Sequence, residues 1–304
     1  MDVQYRAELD FDIIFSNGGS LHGQEFRIDI AGPDLSDAEL GAALVRDLGL
    51  LMAGEVRITR REIIADRHKR AAPAGPPAAA GRGAIRHADL SHVITDGMVT
   101  VPGLPAPRVR AQSVSAALPP GRYAPGVSFK IGEITLCGNT STYLDSPFHL
   151  LPAGADLAAL PLERLADLDA IVVDLTGIQG RAITEGHFLP YEVAGKAVLI
   201  RTGWDALWGR AEYHTGHPFL TAGAARHLAG AGTVLVGIDA ANIDDTGDPA
   251  RPAHAVLLAA GTGVCEHLTG LGALPGSGFR FTAVPPKVAR FGTFPVRAFA
   301  TWAS

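Results

Sequence analysis

The first part of the chain alternates between apolar and polar residues, which is the pattern of strands that bury one face. The alternation runs from Val3 to Phe15 and resumes from Phe26 to Ile30. Between them, Asn17-Gly18-Gly19 has the composition of a tight turn. The pattern therefore predicts an antiparallel β-hairpin at the start of the chain.

Apolar residues then recur at helical spacing, at positions Leu40, Ala43, Leu44, Leu48 and Leu51. Ser36, with Glu39 three residues later, has the form of a capping box, and we expect Gly54 to end the helix. A third strand is predicted at 56–64. Residues 1–70 are thus predicted to form a small ββαβ domain, in which one helix covers an apolar sheet face. Its acidic residues are scattered, so we expect a role in interaction or oligomerisation rather than catalysis.

Residues 71–84 show no hydrophobic periodicity. They contain three prolines and three glycines among alanines, a composition typical of an extended, semi-rigid linker. The chain is thereby predicted to consist of the 1–70 domain, this linker and a second domain, 85–304.

The pattern after the linker is that of a mixed α/β domain. Short apolar runs that fit strands buried on both faces occupy residues 171–175, 197–201 and 234–238. Helices are predicted at 222–229 and 253–260, and Gly261 is placed to close the second one.

Composition narrows the class of protein. With 304 residues and 47% hydrophobic content, the chain is large enough for an enzyme core and a small second unit. A net charge of −5, with no extended basic face, argues against a nucleic-acid partner. Because neither a signal-peptide pattern nor a run of about 18 apolar residues occurs, we predict a cytoplasmic protein without a membrane partner. Cys137 and Cys265 are expected to be reduced.

The densest group of chemically active side chains lies at 139–149. Asn139, Tyr143, Asp145 and His149 are all odd-numbered, and alternate side chains of an extended segment share one face. The spacing therefore predicts that these four side chains line one cavity.

This segment resembles the signature His-x-Gly-Thr-His-x-Asp-x-Pro-x-His of the cyclase family, which includes bacterial kynurenine formamidases and isatin hydrolases. Four positions match the signature: Thr142, Asp145, Pro147 and His149. Three differ, since the first His, the Gly and the second His are replaced by Asn139, Ser141 and Tyr143.

Further motifs follow in the order that the family shows, across roughly residues 86–300. They are Asp89-Leu90-Ser91-His92, Asp96-Gly97-Met98, Pro102-Gly103, Arg201-Thr202-Gly203-Trp204, Gly237-Ile238-Asp239, Pro252-Ala253-His254, Glu266-His267-Leu268-Thr269 and Gly278-Phe279-Arg280-Phe281. The resemblance implies an α/β fold of the swivelling β/β/α type and a homo-oligomer.

In metal-dependent formamidases of this family, the two signature histidines and the Asp hold one ion, and the same Asp with a downstream His and Glu holds a second. The resemblance places this second set on Asp145, His254 and Glu266. An Asn carbonyl is a weak ligand and a Tyr phenol must lose its proton to bind, so Asn139 and Tyr143 do not simply replace two histidines. We therefore expect at most one divalent ion, Zn²⁺ or Mn²⁺, and a metal-free pocket is the alternative.

The remaining polar side chains suggest catalytic roles. The family has a histidine that is not a ligand at the position of His149, and its ordinary pKa near 6.5 suits a general acid/base. Tyr143 is a candidate hydrogen-bond donor to a substrate carbonyl, or else packs beside the pocket. Asn139 would position substrate or Tyr143, or satisfy backbone groups.

The resulting prediction is a hydrolase that opens an amide or lactam bond of a small cyclic or aromatic substrate. The alternative is a metal-independent lyase, dehydratase or ring-closing enzyme of secondary metabolism on the same scaffold, and a third is a non-catalytic binding protein. The sequence contains neither a Gly-x-Ser-x-Gly elbow nor a phosphate loop, which disfavours serine hydrolases and nucleotide hydrolases.

Overall fold

The computed structural model describes residues 4–16, 19–50, 53–66, 84–113 and 130–303. Asn17-Gly18 and residues 71–83 of the predicted linker lie outside these ranges. The helices of the described part are α1 (Asp37–Asp47), α2 (Ala222–Gly230) and α3 (Pro252–Ala259). None of them is long and apolar enough to span a membrane.

The strands fall into two main sheets and two small ribbons. The first sheet contains β1 (Gln4–Phe15), β2 (Ser20–Ile30) and β3 (Ala53–Asp66). The strands that follow, in chain order, are β4 (Ile85–Asp89), β5 (Arg108–Ser113), β6 (Lys130–Thr135), β7 (Tyr143–Asp145), β8 (Leu168–Asp174), β9 (Ala182–Ile183), β10 (Ala197–Arg201), β11 (Phe219–Leu220), β12 (Leu235–Ile238), β13 (Gly263–Glu266), β14 (Phe279–Thr282), β15 (Thr293–Pro295) and β16 (Phe299–Ala303). The ribbons are β5 with β6 and β9 with β11.

The N-terminal elements follow the order ββαβ that the sequence predicts. The sheet has the order β2-β1-β3, and both pairings are antiparallel. Alternate residues of β1, including Leu9, Phe11 and Ile13, are buried against Leu40 and Leu44 of α1. The alternation in the sequence is therefore the inner face of this sheet.

Helix α1 begins as predicted and ends earlier. The capping box between Ser36 and Glu39 is present. At the other end, the predicted stop at Gly54 is wrong, because the helix already ends at Gly49, which has φ 65°. Leu50 N–H donates to Val45 O, and Gly49 N–H donates to Arg46 O. This pair of bonds is a Schellman motif, so Gly49 ends the helix.

The second sheet has nine strands in the order β15-β7-β13-β12-β10-β8-β14-β16-β4. Its centre, β8, β10, β12 and β13, is parallel, and the flanking strands are antiparallel. The predicted apolar runs form β8, β10 and β12, and both of their faces are covered. In β10, Leu199 packs into one core cluster while Val198 and Ile200 pack into the other, beneath α2 and α3. The fold is α/β, as the sequence predicts.

Helix α3 runs from Pro252 to Ala259, close to the predicted 253–260. Gly261 follows its last turn with φ 73°, a conformation that favours glycine, so the predicted closure at this residue is confirmed. The helix lies over the sheet on the side of β12 and β13 and brings His254 to their carboxyl ends.

Candidate active site

Strand register brings four of the polar side chains together. In the antiparallel pair β7 and β13, Tyr143 lies opposite Glu266. On the other side of β7, Asp145 lies opposite Thr293 of β15. Directly opposed residues point to the same face of a sheet, so these side chains meet there. Leu144, between them, points to the opposite face and packs in the core.

The predicted extended conformation of the whole 139–149 segment is wrong. Only Tyr143–Asp145 is a strand; Ser141 has φ 61°, and Pro147–His149 is a single 3₁₀ turn. Three of the four predicted residues, Asn139, Tyr143 and His149, still line one cavity of about 210 Å³, together with His254 and Glu266. The fourth, Asp145, is fully buried and is not part of the cavity wall. The lining residues meet because the chain folds back, not because they alternate along one strand.

Ser141 occupies the position at which the family signature has glycine. Its left-handed backbone conformation favours glycine, the residue that the signature has at this position. In this chain the strain is offset by hydrogen bonds: Ser141 Oγ donates to His92 O at 2.7 Å, and its N–H donates to Thr100 Oγ1 at 2.7 Å. Thr142 Oγ1 also accepts from His92 N–H at 3.0 Å and donates to His267 O. The Asp89–His92 motif therefore anchors the site segment.

His254 is held by Asp244, a residue that sequence analysis missed. One carboxylate oxygen of Asp244 accepts from Ala253 N–H at 2.6 Å, and the other accepts from His254 N–H at 3.2 Å and from His254 Nδ1 at 2.6 Å. The carboxylate thus caps the start of α3 and fixes the imidazole with Nε2 toward the cavity. A carboxylate on the far nitrogen is the usual support of a metal-binding histidine.

Two buried ligand atoms face each other without a hydrogen-bond partner. Asp145 Oδ2 and His254 Nε2 are both fully shielded from water and make no hydrogen bond among the described residues. They lie 3.5 Å apart, longer than a normal N–H···O bond. Buried polar atoms are usually paired, so this gap has the chemistry of a cation site.

The structure groups Asp145, His149 and His254 as a set able to hold a metal ion, with ligand atoms within 4.8 Å of one another. Glu266, which the resemblance adds to the ligands, lies 3.6 Å from His254 Nε2. Its oxygens accept from Ile243 N–H at 2.6 Å and from Tyr143 Oη at 2.6 Å. The predicted ligands Asp145 and His254 thus meet, and Glu266 faces the same nitrogen of His254 while it also accepts hydrogen bonds from Ile243 and Tyr143.

His149 reaches Asp145 through a hydroxyl group. Its Nδ1 lies 2.6 Å from Thr293 Oγ1, which donates to Asp145 Oδ1. Since the single hydroxyl proton of Thr293 is given to Asp145, Nδ1 is the protonated nitrogen of His149 and Nε2 is an acceptor. About a third of the His149 side chain is exposed, 34%. Thr293, absent from every sequence motif, therefore sets the tautomer of His149.

A chain of buried hydrogen bonds runs behind Tyr143. Tyr143 Oη donates to Glu266 and lies 3.3 Å from His267 Nε2, and His267 Nδ1 lies 2.9 Å from Tyr213 Oη. Because Tyr143 already donates its hydroxyl proton in the bond to Glu266, His267 must donate from Nε2 to Tyr143 Oη. His267 Nδ1 is then the acceptor of a hydrogen bond from Tyr213 Oη. Burial lowers the pKa of His267 to about 3, so this imidazole is neutral and suits one donor and one acceptor role.

Charges in the site follow from burial and from these contacts. Burial lowers the pKa of His254, but Glu266, Asp145 and Asp244 outweigh it and raise the pKa to about 10. Burial raises the pKa of Glu266, although His254 opposes this. Burial, followed by the charges of Glu266 and Asp145, holds the pKa of Tyr143 well above its ordinary value. Without an ion, these shifts favour an imidazolium at His254 and a protonated phenol at Tyr143.

Comparison with known proteins agrees with this fold. Residues 88–245 match the family described as "Putative cyclase", and the chain belongs to that family. A kynurenine formamidase from Polaromonas naphthalenivorans is 28% identical over 176 residues, which are 58% of this chain and 76% of the relative.

Two solved structures share the fold of most of the chain. One is an isatin hydrolase bound to the product analogue thioisatinate, with TM-score 0.60, 20% identity, and coverage of 72% of this chain and 93% of the other. The second, described as a potential metal-dependent hydrolase with cyclase activity, has TM-score 0.59, 24% identity, and coverage of 72% and 98%.

Proposed function

We propose that the chain is a hydrolase that opens an amide or lactam bond of a small aromatic or cyclic substrate. The observation that carries this proposal is the pair of unpartnered atoms, Asp145 Oδ2 and His254 Nε2, which are buried beside a cavity lined by His149 and His254. Membership of the family and the names of relatives, kynurenine formamidase and isatin hydrolase, support an amide as the bond attacked.

The residues present fit a divalent ion. In a tetrahedral site with bonds near 2.1 Å, neighbouring ligand atoms are about 3.4 Å apart. The distances from His254 Nε2 to Asp145 Oδ2, 3.5 Å, and to Glu266 Oε1, 3.6 Å, are close to this value. We propose that Asp145, His254 and Glu266 hold Zn²⁺ or Mn²⁺. When bound, such an ion would act as a Lewis acid on a carbonyl oxygen or on water.

His149 is proposed as the general acid/base. The bond from Nδ1 to Thr293 leaves Nε2 as an acceptor, so it can take a proton from the attacking water and return it to the leaving nitrogen. The products balance: water adds to the carbonyl carbon, the C–N bond breaks, and the nitrogen receives the proton. Partial exposure lets the imidazole exchange protons with solvent.

Tyr143 and Asn139 are proposed to orient the substrate. Tyr143 Oη is a donor to Glu266 here, so it serves a substrate carbonyl only when this bond is exchanged. Asn139 gives Tyr143 a hydrogen bond that favours the charged form of the phenol, which burial opposes. Its amide also lines the cavity and can hydrogen-bond a bound amide.

A second assignment of the ligand and acid/base roles is based on Asp145, His149 and His254, whose ligand atoms lie close enough together to hold one ion. There His149 would be the third ligand and Glu266 the proton acceptor. The two assignments differ in one measurable respect: removal of His149 would abolish binding of the ion in the second, whereas removal of Glu266 would do so in the first.

A second candidate function is a metal-independent lyase, dehydratase or ring-closing enzyme. The observation in its favour is Tyr143, a protonated phenol in place of a ligand, with His267 and Tyr213 behind it. In this case Tyr143 and His149 would form the acid/base pair, and a chelator would leave turnover unchanged.

Several sequence-based expectations accompany the proposal. We propose that 85–304 is the catalytic domain and that 1–70, joined to it by the 71–84 linker, serves interaction or oligomerisation. The partner is a small-molecule substrate. We also keep a cytoplasmic homo-oligomer, without nucleic-acid or membrane partners, as a prediction.

The test is an assay of purified protein with formanilide and with isatin, before and after EDTA and after adding back Zn²⁺ or Mn²⁺. We expect hydrolysis of at least one substrate, loss with EDTA and recovery with an ion. His254→Gln should be inactive, and His227→Gln, which changes a histidine of α2 away from the cavity, should match wild type. Turnover that is unchanged in EDTA would favour the lyase-type function.

A further inference from the structure

Arg251 contributes a permanent positive charge to the wall of the cavity. It is the residue immediately before α3 and lines the same space as His149, His254 and Glu266. Its backbone adopts φ 46° and ψ 56°, the left-handed region that a bulky side chain rarely occupies. Pro252 follows at once and has a fixed φ, so the position of Arg251 is set by the start of the helix.

The Arg251 guanidinium has no carboxylate partner among the described residues. In the same loop, the carboxylate of Asp245 accepts from Arg181 at 3.1 Å, and that of Asp248 accepts from Ala250 N–H at 2.9 Å. Arg251 reaches only the backbone carbonyl of Asp245, at 3.3 Å. Most of the five N–H donors of the guanidinium therefore have no acceptor within the ranges that the structure describes.

The acidic groups of the site bond to residues other than Arg251. One oxygen of Asp145 accepts from Thr293, Asp244 accepts from His254 and the start of α3, and Glu266 accepts from Tyr143. A cation at the cavity wall that none of them neutralises is a binding feature for an anion. Planar carboxylates match the guanidinium fork in geometry as well as charge.

We propose that this site takes a substrate that carries a carboxylate group, bound by Arg251 beside the bond to be opened. The proposal deepens the hydrolase assignment and rests on it only for the identity of that bond. An arginine that merely held the loop would use the single contact to Asp245, and its replacement would not distinguish charged from neutral ligands.

The test measures binding of benzoate and benzamide to the metal-loaded protein by calorimetry, because these two probes have the same ring and nearly the same shape, and only benzoate is charged. Wild type should bind benzoate at least about tenfold more tightly than benzamide. Arg251→Gln should weaken the affinity for benzoate at least about tenfold and leave the affinity for benzamide unchanged. Arg251→Lys, which keeps the charge, should retain part of the affinity for benzoate. Gln keeps the same backbone restriction as Arg, so folding is not expected to change.

Arg226→Gln, at an exposed position of α2, is the matched control and should bind benzoate as wild type does. Equal affinity of wild type for the two probes, or benzoate affinity that Arg251→Gln leaves unchanged, would overturn the proposal; the latter would place the carboxylate on the ion instead. Because binding is measured without turnover, the experiment tests the role of Arg251 even if the protein proves not to be a hydrolase.

A kinetic experiment further separates the proposal of a hydrolase from the proposal that Arg251 binds a carboxylate. If formanilide and 4-formamidobenzoate are both substrates, Arg251→Gln should raise KM for the carboxylate substrate by at least about tenfold, with kcat within about threefold and formanilide unaffected. If neither is hydrolysed by wild type, the hydrolase assignment fails, and the benzoate titration still decides whether Arg251 binds a carboxylate.

Discussion

Asp145 Oδ2 and His254 Nε2 lie 3.5 Å apart inside the protein, and among the described residues neither has a hydrogen-bond partner. Leaving two such atoms unpaired costs free energy, since each lost its contact with water on folding. Asp244 holds His254 in this orientation from the opposite side. The proposed ion would bind between the two atoms and give both of them a partner.

Binding of an ion should release a proton at neutral pH. His254 has a pKa of about 10 when no ion is present, and it must be neutral to act as a ligand. Calorimetric titration of the metal-free protein with Zn²⁺ at pH 7, in buffers of different ionisation enthalpy, should report release of about one proton per ion. Enthalpies that do not depend on the buffer would contradict this charge assignment.

The metal-free protein should lose stability as pH rises. The pKa of His254 is about 10 in the folded protein, above its ordinary value, so its contribution is complete below about pH 6.5 and is lost as pH approaches 10. Urea unfolding in EDTA should give a smaller free energy of unfolding at pH 9 than at pH 6. This difference should shrink in His254→Gln, with His227→Gln as the control.

Asp244→Asn should weaken the affinity for the ion by about 10- to 100-fold, because the histidine ligand loses the carboxylate that orients it. Asn keeps an oxygen that can accept from Ala253 N–H, so α3 should still be capped. Competition with a chromogenic chelator measures the affinity. Asp248→Asn is the matched control, since Asp248 accepts from Ala250 N–H in the same loop.

Replacement of His149 tests the proton transfer. His149→Gln should lower kcat by about 10²- to 10⁴-fold and leave the metal content unchanged. Thr293→Val should also lower kcat, because His149 loses the hydroxyl that sets its tautomer. Metal analysis of His149→Gln and of Glu266→Gln decides between the two assignments of the third ligand. Loss of the ion in His149→Gln alone would show that His149 is a ligand.

Tyr143→Phe should destabilise the protein by about 1–3 kcal/mol, because Glu266 Oε2 keeps only the longer bond from Asn242 and His267 Nε2 loses its acceptor in a buried site. Urea unfolding measures the change. Tyr191→Phe, at a ring that packs against the N-terminal core, is a comparison outside the cavity. Equal effects of the two substitutions would show that the hydrogen-bond chain adds nothing specific.

Much of the fold follows from local patterns. The alternation in β1, the capping box at Ser36 and the buried run 197–201 each depend on neighbouring residues, and all three occur as predicted. The end of α1 was missed because Leu48 and Leu51 continue the helical spacing past Gly49. The left-handed conformation of that glycine, rather than apolar periodicity, decides where the helix stops.

The site was harder to predict because its supports come from distant parts of the chain. Thr293 lies opposite Asp145 through the pairing of β15 with β7, and this register has no signal in the sequence. Asp244 precedes His254 by ten residues in a loop rich in Asp, where nothing distinguishes it. Arg251 was overlooked because an arginine before a helix usually faces solvent.

The most direct test of the account is the metal content of the purified protein and of Asp145→Asn, measured by mass spectrometry after exhaustive dialysis against metal-free buffer and reloading with Zn²⁺. We predict about one ion per chain in wild type and in the control Asp169→Asn, and less than about a tenth of this in Asp145→Asn. Equal loading of wild type and Asp145→Asn, or a wild type that retains no ion, would contradict a metal site between Asp145 and His254.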